Sequence, residues 1–104
     1  MRNYILNSDH SISPCADPIE FAKWYENIEN RIIARGKVDN DEASTVFLGI
    51  DHNFEMKGAP LLFETMIFPV SENDYQTRCS TYEEALEMHN EAIRYLVFDK
   101  GKNR

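Results

Sequence analysis

The stretch Ser44 to Phe68, STVFLGIDHNFEMKGAPLLFETMIF, constrains the fold more than any other part of the chain. It holds two apolar runs, Thr45 to Ile50 and Leu61 to Phe68, joined by a polar connection over 53–60 that contains Gly58. Short apolar, β-branched runs bounded by turn formers read as strands. The first run is nearly continuous in apolar residues, which predicts a central strand covered on both faces. The second stops at Pro69, which has no N–H to give a ladder. Two such strands with a short connection between them predict an antiparallel pair.

The flanking segments add to this frame. Asn3 to Leu6 reads as a short opening strand, followed by a polar loop through Pro14 and Cys15. Asp17-Pro18-Ile19-Glu20 is a helix start, with Asp17 as cap and Pro18 at the first helical position. Phe21, Trp24, Tyr25 and Ile28 recur at helical spacing as a core-facing stripe, and the helix is predicted to end between Asn27 and Asn30. Arg31 to Val38 reads as a strand exposed on one side, Asp39 to Glu42 as an acidic turn, and Tyr75 to Cys79 as a short strand. The last helix has a duplicated start signal, Ser80 with Glu83 and Thr81 with Glu84, either of which can form a capping box. Ala85, Leu86, Met88, Ala92, Ile93, Leu96 and Val97 fall on one half of that cylinder. Glu83, Glu84, Glu87, Asn90, Glu91 and Arg94 take the other. The expected fold is a single α+β domain over 1–104, with a mainly antiparallel sheet of about four strands packed with two helices. Residues 100–104, Lys-Gly-Lys-Asn-Arg, read as a loose basic tail.

Charge narrows the partners. The net charge is −7, but from Asp39 to Glu91 twelve acidic residues face only Lys57 and Arg78. A middle this acidic repels phosphates and argues against nucleic acid as a direct ligand. It suits either plain solvation or a basic surface on a partner. No apolar run approaches the ~20 residues of a membrane span, and the opening lacks the apolar core of a signal peptide, so a cytoplasmic location is expected. Cys15 and Cys79 sit in no CxxC pattern and read as free thiols.

Chemistry concentrates in a few side chains. His89 falls near the middle of the last helix's apolar face and is expected to point at the sheet as a core histidine satisfied by a backbone carbonyl. Glu64 interrupts the face of Leu62, Met66 and Phe68, and His52 continues that of Val46, Leu48 and Ile50. A register pairing even residues with even would place His52 and Glu64 on one face. They could then share a hydrogen bond, or bind a metal with His89 as third ligand. The spacing matches no compact metal signature, and a structural polar network is the plainer reading, so neither metal nor cofactor is expected. Asp51, with His52 and Asn53, stands at a strand exit, where Asp and Asn equally serve turn chemistry. Arg78, Arg31 and Arg35 are the residues that would line a pocket for an anion. The stack Glu83, Glu87, Glu91 forms a face for a basic partner. There is no phosphate cradle, dinucleotide fingerprint or nucleophile elbow, and an enzyme is the lesser reading.

The segments STVFLGIDHNF, PLLFETMIF, Tyr75-Gln-Thr-Arg78 and TYEEALEMHNEA, with the opening NYILNSDHSISPCADPIEFAKWYE, resemble a widespread group of small proteins encoded by tailed phages and prophages. The resemblance covers nearly the whole chain. In that group the segment after the Asp-His pair is glycine-rich and then Pro-Pro, whereas here it is Glu55-Met-Lys-Gly-Ala-Pro60. The resemblance implies a viral origin and a host-cytoplasmic location, and brings no activity with it. With the charge pattern, it leads to an accessory protein that acts on a host or its defences by binding. One version occupies a basic protein surface. Another is a homo-oligomer that sequesters a small signalling molecule. Readings from other classes are a small metal-dependent hydrolase on His52, Glu64 and His89, and a virion structural or assembly protein.

Overall fold

A computed structural model describes residues 2–55 and 57–100. Six strands and two helices follow in the order β1 (Tyr4–Leu6), β2 (Ile12–Pro14), α1 (Pro18–Glu26), β3 (Ile32–Val38), β4 (Asp41–Phe47), β5 (Phe63–Phe68), β6 (Gln76–Cys79) and α2 (Tyr82–Arg94). The fold is α+β. Strands β3-β4-β5-β6 form one antiparallel sheet in sequence order, and β1-β2 form a separate hairpin. The hairpin is tied to the exit of β4 by a bridge between Asn3 and Ile50 and by the Tyr4 amide donating to the Gly49 carbonyl at 2.7 Å.

Helix α1 starts where the sequence predicts. The Asp17 carboxylate accepts from the Ile19 and Glu20 amides, and Pro18 sits in the first turn. Phe21 is buried, and the Trp24 ring stands edge-on to Phe47, centroids 5.6 Å apart. Ile28 lies in a short 3₁₀ turn beyond the helix and is half exposed, so the core stripe ends before it. Helix α2 uses the second of its two start signals. The Thr81 side chain accepts from the Glu84 amide, while the Glu84 carboxylate accepts from the Thr81 amide. Its buried stripe is Ala85, Met88, His89, Ala92 and Leu96. Leu86 and Val97 were expected on this stripe but are 39% and 52% exposed. Leu86 lies at the stripe's margin, and a wider π-type turn over Tyr95–Asp99 changes the helical phase before Val97.

The core lies on one side of the sheet. Phe47, Leu62 and Phe63 pack with Ala85 and Met88, joined by Trp24 from α1 and Leu6 and Ile12 from the hairpin. A second cluster gathers Ala43, Ile67, Ala92 and Leu96. Two glycines permit close approaches: Gly49 has φ 79° and lies against the Phe21 ring, and a Cβ at Gly36 would come within 2.7 Å of Ile93 Cδ1.

Three expectations are corrected. Strand β4 is central, but only one of its faces is buried: Ala43, Thr45 and Phe47 alternate with half-buried Ser44 and Val46. Among the described residues no helix covers its other face. The acidic turn shrinks to Asp39 and Asn40, with Asp39 at φ 56°, and Asp41 and Glu42 enter the strand. Asp41 is accommodated there because its carboxylate pairs with Lys100 at 2.8 Å and accepts from the Asn73 amide. Finally, β2 replaces the predicted loop before Cys15. Its turn is held by side chains, with Asn7 Nδ2 donating to Ser11 and Ser13 and Asp9 accepting from Ser11. Of the predicted tail, residues 101–104 lie outside the described residues, and Lys100 closes the ion pair with Asp41.

Candidate functional site

The β4-β5 register pairs Val46 with Glu64 and Thr45 with Thr65, even with even as one expectation required. That register places Thr45 and Thr65 on the helix side and Glu64 on the open side. The His89 ring projects from α2 onto the threonines. Its Nδ1 lies 2.8 Å from Thr45 Oγ1, which is 2.5 Å from Thr65 Oγ1. Both threonines are fully buried and His89 nearly so. Burial holds the His89 pKa below the ordinary histidine value, so the neutral ring is the form that fits. In the next strand Thr77 pairs with Thr65, and its hydroxyl is buried without a hydrogen-bond partner among the described residues. The core histidine is present as expected, but its partner is the Thr45 hydroxyl and not a backbone carbonyl, because the ring reaches the side chains of the sheet's inner face.

His52 is elsewhere. Strand β4 ends at Phe47, the chain turns at Gly49, and His52 Nδ1 meets the Ile50 carbonyl at 2.7 Å beside the Phe54 ring. Asp51 organises the same loop, its Oδ1 accepting from the Asn53 and Leu61 amides. This is the turn chemistry that Asp and Asn favour. Glu64 forms an ion pair across β5-β6, its Oε2 2.9 Å from Arg78 Nε, and also accepts from Gln76. The hydrolase centre that the alternative reading built on His52, Glu64 and His89 is thus not assembled. A sheet separates Glu64 from His89, and His52 belongs to a loop beyond the strand. Among the described residues no three His, Cys, Asp or Glu side chains are grouped to hold a metal ion.

The arginines do not meet in one pocket either. Arg31 stacks on Tyr25 at 3.9 Å and donates to the Tyr25 carbonyl, Arg78 is engaged by Glu64, and Arg35 stands exposed on β3. The α2 glutamates are different. Glu83, Glu87 and Glu91 are all exposed, and the ion pairs among the described residues involve only Glu64 and Asp41 as acids. Glu91 lies close enough to Tyr75 to help burial raise its pKa. Near the start of α2, the Cys79 thiol is pushed up to about 11, mainly by burial and then by Glu84.

One feature escaped the sequence pattern. A groove of about 510 Å³ runs between the hairpin and α1, with Trp24, Tyr82, His10, Glu29 and Ile33 among its lining residues. His10, at φ 70° in the hairpin turn, stacks on Tyr82 with centroids 3.9 Å apart and planes 11° from parallel. Trp24 and Tyr82 were legible as helix residues. His10 sat in a segment read as loop, so nothing in the sequence brought it to them.

No helix among the described residues is long and apolar enough to cross a membrane. No family model, curated protein or solved structure matches this chain.

Proposed function

We propose that this chain is a small phage-encoded accessory protein that works in the host cytoplasm by binding, occupying a basic surface of a host protein, such as a component of a defence system. The observation that carries this reading is the outward face of α2. Glu83, Glu87 and Glu91 recur one turn apart, all exposed, with no ion-pair partner among the described residues. Stacked like charges oppose one another by a few tenths of a kcal/mol per pair, a burden that a basic partner would relieve. The resemblance to phage proteins over nearly the whole chain supports the viral setting. The commitment of Arg31 to Tyr25 and of Arg78 to Glu64 favours a protein surface over an anionic small molecule as the ligand.

The test is affinity capture from bacterial host lysate at two salt concentrations, with wild type and with Glu83→Gln/Glu87→Gln/Glu91→Gln. The expected result is a stoichiometric host protein retained by wild type, weakened by salt and lost with the triple variant. A partner retained equally by both proteins would refute the assignment to this face. So would a retained metabolite with no protein.

A further inference from the structure

We propose that the groove between the β1-β2 hairpin and α1 receives an arginine side chain of a protein partner. The inference rests on the reading that the chain binds a basic protein surface, and it names where that surface would be anchored. The groove is lined by the apolar Ile5, Leu6, Ile32 and Ile33 and by the aromatic Trp24 and Tyr82. His10 of the hairpin, also among the lining residues, stacks on Tyr82.

Its polar groups fit a cation with many donors. Among the lining residues there is no Lys or Arg, and Glu29 is the one carboxylate, exposed and without an ion-pair partner among the described residues. The Asn30 amide nitrogen is engaged by the Trp24 carbonyl at 2.8 Å, and that of Asn7 by the Ser11 and Ser13 hydroxyls. Their amide oxygens remain as acceptors. A carboxylate, two amide oxygens and aromatic surface match a guanidinium, which carries five N–H donors, accepts nothing and stacks on rings. The aliphatic stem of the arginine would lie on the isoleucines. Glu29 would repel a carboxylate or phosphate ligand.

Trp24 is the only tryptophan in the chain and reports on the site directly. The probe is acetyl-Gly-Arg-Gly-amide, titrated into the intact protein at constant ionic strength and followed by Trp24 fluorescence and by NMR shifts. The control is the same peptide with citrulline, which keeps the shape and loses the charge. The expected result is saturable binding with a Kd on the order of 1 mM, with shifts at Trp24, Tyr82 and His10. Citrulline should bind about fivefold more weakly, and Glu29→Gln should weaken the arginine peptide about threefold without altering the melting temperature. Equal binding of the two peptides overturns the proposal, as do shifts confined to the α2 glutamates. If the groove stays silent while Glu83→Gln/Glu87→Gln/Glu91→Gln still releases a captured host protein, the groove assignment falls and the binding reading survives. If the groove binds and Glu29→Gln weakens it, but no captured protein depends on those glutamates, the groove stands and the acidic-face reading falls.

Discussion

Replacing Thr45 with valine tests the buried polar seam under α2. The Thr45 hydroxyl is the shared partner of His89 Nδ1, at 2.8 Å, and of Thr65 Oγ1, at 2.5 Å, and the residue is fully buried. Valine keeps the shape and removes the hydroxyl, so both neighbours lose their partner at once. A buried polar group left unmatched costs about 1–3 kcal/mol, and the methyl gained returns about 0.8 kcal/mol. His89 retains slight solvent contact, which places the expected loss at about 2–4 kcal/mol. For a 104-residue chain that is a fall in melting temperature on the order of 10 °C. Urea titration followed by Trp24 fluorescence gives the free energy and shows whether the slope with urea is unchanged, as a folded-state effect requires. The combined variant Thr45→Val/Thr65→Val/His89→Leu removes the seam altogether. It should lie within about 1 kcal/mol of wild type, because replacing all partners by apolar groups leaves no unmatched one. A Thr45→Val variant within about 0.5 kcal/mol of wild type would refute the reasoning, as would a combined variant that loses the sum of its parts.

Acid should destabilise the protein through the same histidine. Burial lowers the His89 pKa from 6.5, so the unfolded chain binds the proton more readily and stability rises with pH below about 6.5 and levels off above it. His89→Leu should flatten that slope in denaturation between pH 5 and 7, and an unchanged slope would assign it to other groups. Replacing Glu83, Glu87 and Glu91 by Gln should leave the melting point unchanged or raise it, since two repulsive pairs worth a few tenths of a kcal/mol each are removed; a clear fall would show that these carboxylates support the fold. Cys79, with its thiol pushed up to about 11, should be alkylated by iodoacetamide far more slowly at pH 7.5 than a free cysteine and accelerate steadily with pH. Peptide mapping checks this, and rapid labelling at pH 7.5 would contradict the burial.

Local signals in the chain were strong enough to determine the elements that carry them. Asp17-Pro18 and Thr81 with Glu84 place the two helix starts, because capping satisfies free amides within one turn. The helical spacing put His89 inside and the apolar runs placed β4 and β5 side by side, while the register that pairs Val46 with Glu64 was one option left open until the fold chose it. Contacts between distant segments were decided only in the folded molecule. Whether β4 is covered on one face or two depends on where the helices dock, and both lie on one side. The union of His52, Glu64 and His89 failed because alternate residues of a strand point to opposite faces, and because the turn at Gly49 takes His52 off the strand. The β1-β2 hairpin has strands of three residues, too short for any periodicity, and the turn's side-chain bonds hold it together. That hairpin is what carries His10 onto Tyr82, 72 positions away, and so forms the groove. Periodicity reports which way a side chain faces along its own element, and a site made of several elements exists only once they have packed.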